Sequence, residues 1–379
     1  MADSAPVKAR GLEGVVALDT ELSYINGQEG ELLYRGYDIK DLAQNASFEE
    51  VAYLLWHGDL PTQSQLDELN AQLRAERALP EAIIDHLRHH TPKDANAMSA
   101  LRTATSMLAD FDPDTESHDR DANVRNAIRL TAKMPTIVAA FDRIRKGLDP
   151  VTPKGEGSTA YDFLYCLNGE APGEKAEAVM DAALVLHAEH GLNASTFTCR
   201  VIGSTLSDMY SAVTGAIGAL KGPLHGGANV KVMQTLKDIK QSGKTPAAYV
   251  QEKLEAKERL MGFGHRVYKT YDPRAIILRD MLEGLSDEKG DRWWYETSKT
   301  MMDEVYDAKG LYANVDFFSA SVYHLLGIES DLYTPIFAIS RVTGWTAHLL
   351  EQWEDNRLIR PRAEYVGPRG KEVGPIAER

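Results

Sequence analysis

Two histidines of the sequence stand among turn-forming residues, a placement that can present a side chain to a ligand. His225 lies in "KGPLHGGANV" (221–230), with glycines on both sides, and His265 follows the glycines of "MGFGHRVYKTYDPR" (261–274). Glycine permits sharp turns and a close backbone approach, so each imidazole could donate a hydrogen bond or act in acid–base chemistry. The alternative for each is an ordinary turn histidine. Neither segment has the spacing of a phosphate-binding P-loop.

Positive side chains gather near His265 and again near the end of the chain. Arg266, Lys269 and Arg274 lie within nine residues that include a single acid. The segment 356–371 holds five lysines and arginines against one acid. Guanidinium and ammonium groups in such numbers suit an anionic ligand or an acidic partner. A solvated basic loop and a solvated tail are the alternatives.

Two further candidates lie on predicted helices. Asp316 follows the potential N-cap Asn314, and the positive end of a helix would keep its carboxylate ionised, as a general base requires. The alternative is an acid that only complements the helix dipole. Arg341 shares a helical face with Phe337 and Trp345, so its guanidinium needs an anionic or aromatic partner. Packing on Trp345 is the alternative.

The segment "LVLHAEHGLNAST" (184–196) contributes His187 and His190. In a helix that ends before Gly191, both imidazoles would face inward or into a cleft. Two core histidines bonded to the backbone are the alternative. The spacing H-x-E-H matches neither common zinc motif, so no metal site is predicted.

The elements that must position these residues are mostly helices. Residues 13–36 predict short strands with a tight turn, and Ser47 and Glu50 have the spacing of a capping box. Pro135 should kink or split its helix. The predicted class is therefore mainly α, with a small N-terminal β element. Helices are predicted over 47–56, 62–78, 95–110, 121–146, 172–190, 206–220, 229–241, 246–258, 274–284, 289–307, 315–326 and 335–354.

Composition narrows the class of protein. A chain of 379 residues with 43% hydrophobic and 26% charged residues fits a soluble globular protein of two closely connected domains. The net charge of −14 argues against nucleic acid and anionic membranes as partners, so any anion must be bound by local positive charge. Two cysteines give no disulfide framework and suit a reducing cytoplasm. No leader is read in residues 1–10, and no membrane span is predicted.

Taken together, these segments resemble the citrate synthase family. The resemblance is carried by "HAEHGLNAST", "GPLHGGAN", "GFGHRVYKTYDPR", "NVDFFSA" and "FAISRVTGW", and it extends back to "GVVALDTELSYINGQEGELLYRGYDI". It implies a two-domain helical homodimer. Residues 1–221 and 334–379 would form the large domain, and 222–333 a small domain that closes over the active site.

The resemblance also implies a reaction, in which acetyl-CoA, oxaloacetate and water give citrate and CoA. The CoA thioester would be a substrate, and no permanently bound cofactor or metal is expected. Asp316 would deprotonate the thioester methyl group, His225 would support the enolate, and His265 would polarise the oxaloacetate carbonyl. Oxaloacetate would be bound by His190, Arg274, Arg341 and Arg360, the last contributed by the partner subunit. CoA would lie along Leu260, Met261, Gly262, Gly264, Arg266 and Lys269.

Three other functions stay open at this point. A 2-methylcitrate synthase would use propionyl-CoA, alone or beside acetyl-CoA, and one methylene changes selectivity by only about 1–3 kcal/mol in an apolar pocket. A non-catalytic helical scaffold would give no reason for the histidines, the acid and the arginines to occur together. A metal-dependent lyase would use His187 and His190.

Overall fold

The computed structural model describes residues 9–379, without the side chain of Glu378. Residues 1–8 lie outside this part. They belong to residues 1–10, in which the sequence predicts no leader. Within it, helices dominate and a single small sheet lies near its N-terminal end. The predicted class, mainly α with a small N-terminal β element, is confirmed.

The sheet has three antiparallel strands in the order β1-β2-β3. Strand β1 (Ser23–Asn26) pairs with β2 (Glu31–Tyr34), with Ser23 opposite Tyr34, and β2 pairs with β3 (Tyr37–Asp38). The hydroxyl of the buried Tyr34 donates to the carbonyl oxygen of Glu189 at 2.7 Å. The sheet is thereby attached to the segment that carries His190.

Among residues 9–379, ten α-helices precede the turn of His225, and six follow it. The first ten are α1 (Ile39–Asn45), α2 (Phe48–His57), α3 (Gln63–Glu76), α4 (Glu81–Asp85), α5 (Ala97–Met107), α6 (Arg120–Arg145), α7 (Thr159–Asn168), α8 (Glu174–His187), α9 (Ala194–Gly203) and α10 (Met209–Leu220). The last six are α11 (Ala228–Ser242), α12 (Pro246–Glu255), α13 (Pro273–Lys289), α14 (Trp293–Lys309), α15 (Val315–Leu325) and α16 (Tyr333–Glu354).

The predicted capping box is present at the start of α2, where the side chains of Ser47 and Glu50 each bond the other's backbone N–H. Four helices were missed by the sequence patterns, namely α1, α4, α7 and α9. Each has ten residues or fewer, too few turns for a hydrophobic period to stand out.

The centre of the fold is built on α6 and α16, which pack against each other. From Tyr333 to Leu350, every residue of α16 except Phe337 is buried. A helix that is buried on nearly all sides needs neighbours all round, and α2, α8, α9 and α10 supply them. Arg341 therefore projects from the best-packed helix of the molecule.

Two helices differ from their predicted extents. Of the two outcomes predicted for Pro135, a kink or a split, the split does not occur: α6 runs unbroken from Arg120 to Arg145, with buried residues on both sides of the proline. The run 172–190 ends as a helix at His187 rather than at His190. Gly191 has a φ of 60°, so the chain turns there before Asn193 caps α9.

The elements from α11 to α15 pack largely on one another, with α15 against α11 and α13. Helix α13 also contacts α1 and α8, so it joins this group to the rest of the chain. Among the described helices, none is both long and apolar enough to cross a membrane.

Gly344 of α16 offers a test of this packing. A Cβ at this position would lie 2.4 Å from the carbonyl oxygen of Ala188, so Gly344→Ala should lower the free energy of unfolding by about 2–3 kcal/mol. The matched control is Gly284→Ala in α13, where the nearest atom is 3.8 Å away. That variant should gain up to about 1 kcal/mol. Thermal unfolding of both checks this, and equal stabilities would contradict the described contact.

Candidate active site

The turn between α10 and α11 holds His225. The backbone N–H groups of His225 and Gly226 donate to the carbonyl oxygen of Gly222 at 2.9 and 3.0 Å. A Cβ on Gly226 would lie 2.1 Å from the carbonyl oxygen of Leu220, and Gly227 has a φ of 84°. Both positions therefore require glycine, and the turn they form fixes the backbone of the histidine.

The imidazole of His225 is fixed through its Nε2 atom. The Ser195 hydroxyl lies 2.8 Å from this nitrogen, and the Ser195 backbone N–H points at it from 3.2 Å. A backbone N–H only donates, so Nε2 accepts and the ring proton is on Nδ1. Burial, with Arg341 and Arg266, lowers the pKa of His225 to about 4. His225 is therefore a neutral donor through Nδ1.

His265 carries its ring proton on the other nitrogen, Nε2. Its Nδ1 accepts from the backbone N–H groups of Val267 and Tyr268 at 3.0 and 3.2 Å, which leaves the proton on Nε2. Burial and the nearby Arg274 lower the pKa of His265 to about 4. This imidazole too is a neutral donor at neutral pH.

His190 completes the set of three imidazoles. Its ring centre lies 5.3 Å from that of His265, and its Nε2 is 3.1 Å from the Tyr268 hydroxyl. Burial and Arg274 lower its pKa well below the usual value. Its inward position does not come from a helical face, as the sequence suggested, but from a turn that the Ser23 hydroxyl ties to β1.

His187 is a core residue. Its Nδ1 bonds to the carbonyl oxygen of Ala183 at 2.7 Å, and its ring packs edge-on against Phe337. Within residues 9–379, no three histidine, cysteine, aspartate or glutamate side chains are placed to hold a metal ion.

Arg341 is buried and forms no direct ion pair, although the buried Glu189 carboxylate is close enough to act on its charge. Its Nε donates to the carbonyl oxygen of His187 at 2.7 Å, and its guanidinium lies 4.6 Å from the ring centre of Phe337. Packing on Trp345, the alternative considered from the sequence, is not what the structure shows. Its Nη2 is buried with no partner, and no carboxylate of the described residues forms an ion pair with it. Burial lowers the pKa of Arg341 to about 10.

Arg274 has a partner. It forms a two-point ion pair with Asp272, with nitrogen–oxygen distances of 3.0 and 2.9 Å. Asp272 also caps α13 and accepts the backbone N–H of Val315 at 3.1 Å. One buried carboxylate thus fixes Arg274 and the start of α15.

Asp316 lies in the first turn of α15, and Asn314 is the N-cap, as predicted. Burial raises the pKa of Asp316 to about 6, while Arg274 and Arg341 act in the opposite direction. Its carboxylate has no hydrogen-bond partner among the described residues. Arg274 acts on His190 and His265, and Arg341 acts on His190 and His225, so the acid and the three imidazoles all lie near these two buried arginines.

The segment predicted to bind CoA borders this cleft. A cavity of about 250 Å³ lies between residues 264–272 and 310–314. Arg266 and Lys269 are exposed at its edge. Gly262 is buried, and three of the predicted residues are half-buried, namely Leu260, Met261 and Gly264.

Arg360 is the one predicted site residue that the single chain does not bring to the cleft. It is exposed in the extended segment after α16, and none of its contacts reaches the residues above.

Several supporting residues were missed by the sequence argument. They are Asn193, Ser195, Tyr268, Asp272 and Trp345. Asn193 and Asp272 had a detectable signal, because each is a helix-capping type directly before a predictable helix start. The other three act through contacts between distant parts of the chain.

The chain is similar to known proteins over nearly its whole length. The family model "Citrate synthase, C-terminal domain" matches residues 11–362. The chain is 54% identical to citrate synthase 2 of Bacillus subtilis, over 98% of this chain and 99% of that protein. It is 52% identical to the citrate synthase of Haloferax volcanii, over 98% of each. It is 44% identical to the 2-methylcitrate synthase of Shewanella oneidensis, over the full length of both.

Solved structures of citrate synthases are also similar to this chain. The citrate synthase of Pyrobaculum aerophilum has a TM-score of 0.91 at 39% identity, covering 97% of this chain and 95% of that one. The citrate synthase of Thermoplasma acidophilum, solved as a ternary complex with carboxymethyl-CoA and oxaloacetate, has a TM-score of 0.89 at 38% identity. That match covers 97% of this chain and 98% of that one.

Because the pKa of Asp316 is raised, replacing this acid should stabilise the protein by an amount that depends on pH. The folded protein binds this proton more tightly than the unfolded chain does, so this group's contribution to stability falls as the pH rises through about 4 to 6. Asp316→Asn should therefore raise the free energy of unfolding at pH 7.5 by about 1–3 kcal/mol and leave it nearly unchanged at pH 4. Thermal unfolding at the two pH values measures this.

The control is Asp307→Asn, which changes an exposed acid of α14. A gain for Asp316→Asn of equal size at both pH values would show that its carboxylate is not destabilised by burial.

Proposed function

The chain belongs to the citrate synthase family, and from this premise we propose how its cleft condenses acetyl-CoA with oxaloacetate and water to give citrate and CoA. It is an enzyme, a transferase that forms a carbon–carbon bond. The observation that carries the proposed site is the buried guanidinium of Arg341 with no carboxylate partner. A buried, unpaired cation is costly unless a ligand supplies the missing anion.

Oxaloacetate has two carboxylates and a ketone. We assign one carboxylate to Arg341 and to Arg274, whose Nη1 has no partner among the described residues. Arg360 of a partner subunit would bind the other, because within the single chain this residue is exposed and has no described contact with the cleft. His190 and His265 would donate hydrogen bonds to the ketone end of the substrate.

The acidic proton of the reaction lies on the methyl group of the thioester, which is a very weak acid. Asp316 would take this proton while the Nδ1–H of His225 donates to the thioester oxygen, so that the negative charge forms beside a donor. The resulting enolate carbon attacks the ketone carbon of oxaloacetate. The Nε2–H of His265 would then donate to the new alkoxide, and water would cleave the thioester to release CoA.

The acyl-CoA would extend along Leu260, Met261, Gly262 and Gly264, with its phosphates near Arg266 and Lys269. We propose that residues 222–333 form the small domain and move over the site, since enolate chemistry benefits from the exclusion of water. In this proposal 1–221 and 334–379 form the large domain, the functional unit is a homodimer, and no bound metal or cofactor is needed. A cytoplasmic location stays a prediction.

A second activity is favoured by one finding, the 44% identity to a 2-methylcitrate synthase over the whole chain. The experiment is a CoA-release assay with oxaloacetate and either acetyl-CoA or propionyl-CoA. We expect the larger kcat/KM for acetyl-CoA. A preference for propionyl-CoA would overturn this ranking, and no CoA release from a folded dimer would overturn the proposed function.

Arg341→Met tests the proposed clamp in the same assay. Loss of a charge-assisted hydrogen bond should raise the KM for oxaloacetate about 10- to 100-fold, with a smaller change in the KM for acetyl-CoA. Arg279→Met is the matched control, because Arg279 of α13 forms an ion pair with Asp280 at the surface. An unchanged KM for oxaloacetate in Arg341→Met would show that the clamp is assigned wrongly.

A mixing experiment tests the shared arginine. Arg360→Ala and Asp316→Ala homodimers should each have little activity. After subunit exchange, a mixed dimer has one site with both groups intact, so we expect activity to return to about a quarter of the wild-type value in an equimolar random mixture. The control mixes Asp316→Ala with Arg341→Met, two residues of the same subunit's site. Equal recovery in both mixtures would argue against an arginine shared between subunits.

A further inference from the structure

The Ser195 hydroxyl lies at the centre of three polar contacts. It receives the indole N–H of Trp345 at 3.2 Å, and it lies 2.8 Å from both the Asn193 side-chain oxygen and the Nε2 atom of His225. Trp345 is completely buried in α16, one turn beyond Arg341. Trp345 has no direct part in the reaction described above.

The Ser195 hydroxyl has one proton and two acceptors within reach, the Asn193 oxygen and His225 Nε2. An indole N–H only donates, so the contact from Trp345 takes up a lone pair of the Ser195 oxygen. The Asn193 oxygen accepts the backbone N–H groups of Ser195 and Thr196, both at 3.1 Å. Nε2 only shares the Ser195 N–H, at 3.2 Å, so the hydroxyl proton adds more at Nε2 than at the Asn193 oxygen.

We propose that Trp345 is a positioning residue for His225. Its N–H holds the Ser195 hydroxyl in the rotation that donates to Nε2, and this second donor, beside the Ser195 backbone N–H, helps to keep the ring proton of His225 on Nδ1. The catalytic part of this inference rests on the proposed function. Helix α16 would then supply both a carboxylate-binding arginine and a group that supports the tautomer of the neighbouring histidine.

Trp345→Phe removes the N–H and keeps most of the buried ring. We expect kcat for CoA release to fall about tenfold, the loss of one hydrogen bond in the transition state, with less than about a twofold change in the KM for oxaloacetate. The matched control is Trp353→Phe on the same helix, whose N–H donates to the carbonyl oxygen of Gly203 at 2.9 Å. This variant should keep the wild-type kcat.

A double-mutant cycle tests whether the effect passes through Ser195. In the Ser195→Ala background, Trp345→Phe should reduce kcat by less than about twofold, because the hydroxyl that it orients is gone. Full additivity of the two effects would overturn the proposed connection.

The tautomer of His225 can be measured by NMR without catalytic turnover. Protein labelled with ¹⁵N-histidine, with the resonances of His225 assigned by their loss in His225→Asn, should show a protonated Nδ1 and an unprotonated Nε2. In Trp345→Phe the two shifts should move towards each other, and in Trp353→Phe they should not. Unchanged shifts in Trp345→Phe would overturn the proposal, as would equal losses of kcat in both tryptophan variants. Absence of CoA release in the wild type would instead count against the proposed function.

Discussion

Two arginine side chains buried beside three imidazoles set the electrostatics of this cleft. Burial and a neighbouring positive charge both disfavour the protonated form of histidine, so His190, His225 and His265 have lowered pKa values. Each ring is then a neutral group with one proton to donate. For His225 and His265, backbone N–H groups decide which nitrogen carries that proton. The arginines therefore help to keep the imidazoles neutral, in addition to binding any ligand.

In the same surroundings, the pKa values of two aspartates are shifted in opposite directions. Asp272 accepts both arms of Arg274 and two backbone N–H groups, and its pKa is lowered. Asp316, close by, accepts no hydrogen bond from the described residues, and its pKa is raised to about 6. The charge of Arg274 and the hydrogen bonds stabilise the charged form of Asp272, while burial without such bonds destabilises the charged form of Asp316. The first is suited to hold structure and the second to accept a proton.

Much of this site could be predicted from the sequence, because its reactive groups lie in short segments with strong local signals. The glycine turn of His225 and the N-cap before Asp316 are of this kind. His190 was placed on the wrong element, since helical periodicity continued past the point where Gly191 turns the chain. The partners Ser195 and Trp345 lie 150 residues apart, and no local pattern encodes a contact over such a separation. The role proposed for Arg360 would need a second chain, and the structure of one chain does not test it.

The position of the two arginines also bears on how the cleft meets an anion in solution. The chain carries an excess of 14 negative charges, while the arginines lie buried. A dianionic ligand is thus repelled at long range by the net charge and attracted at short range by the buried arginines. Dissolved salt screens the first interaction over a Debye length of about 8 Å at physiological ionic strength and affects the buried contacts far less. For such a protein, added salt favours the encounter with its anionic ligand, the reverse of what holds for an enzyme whose surface attracts its substrate.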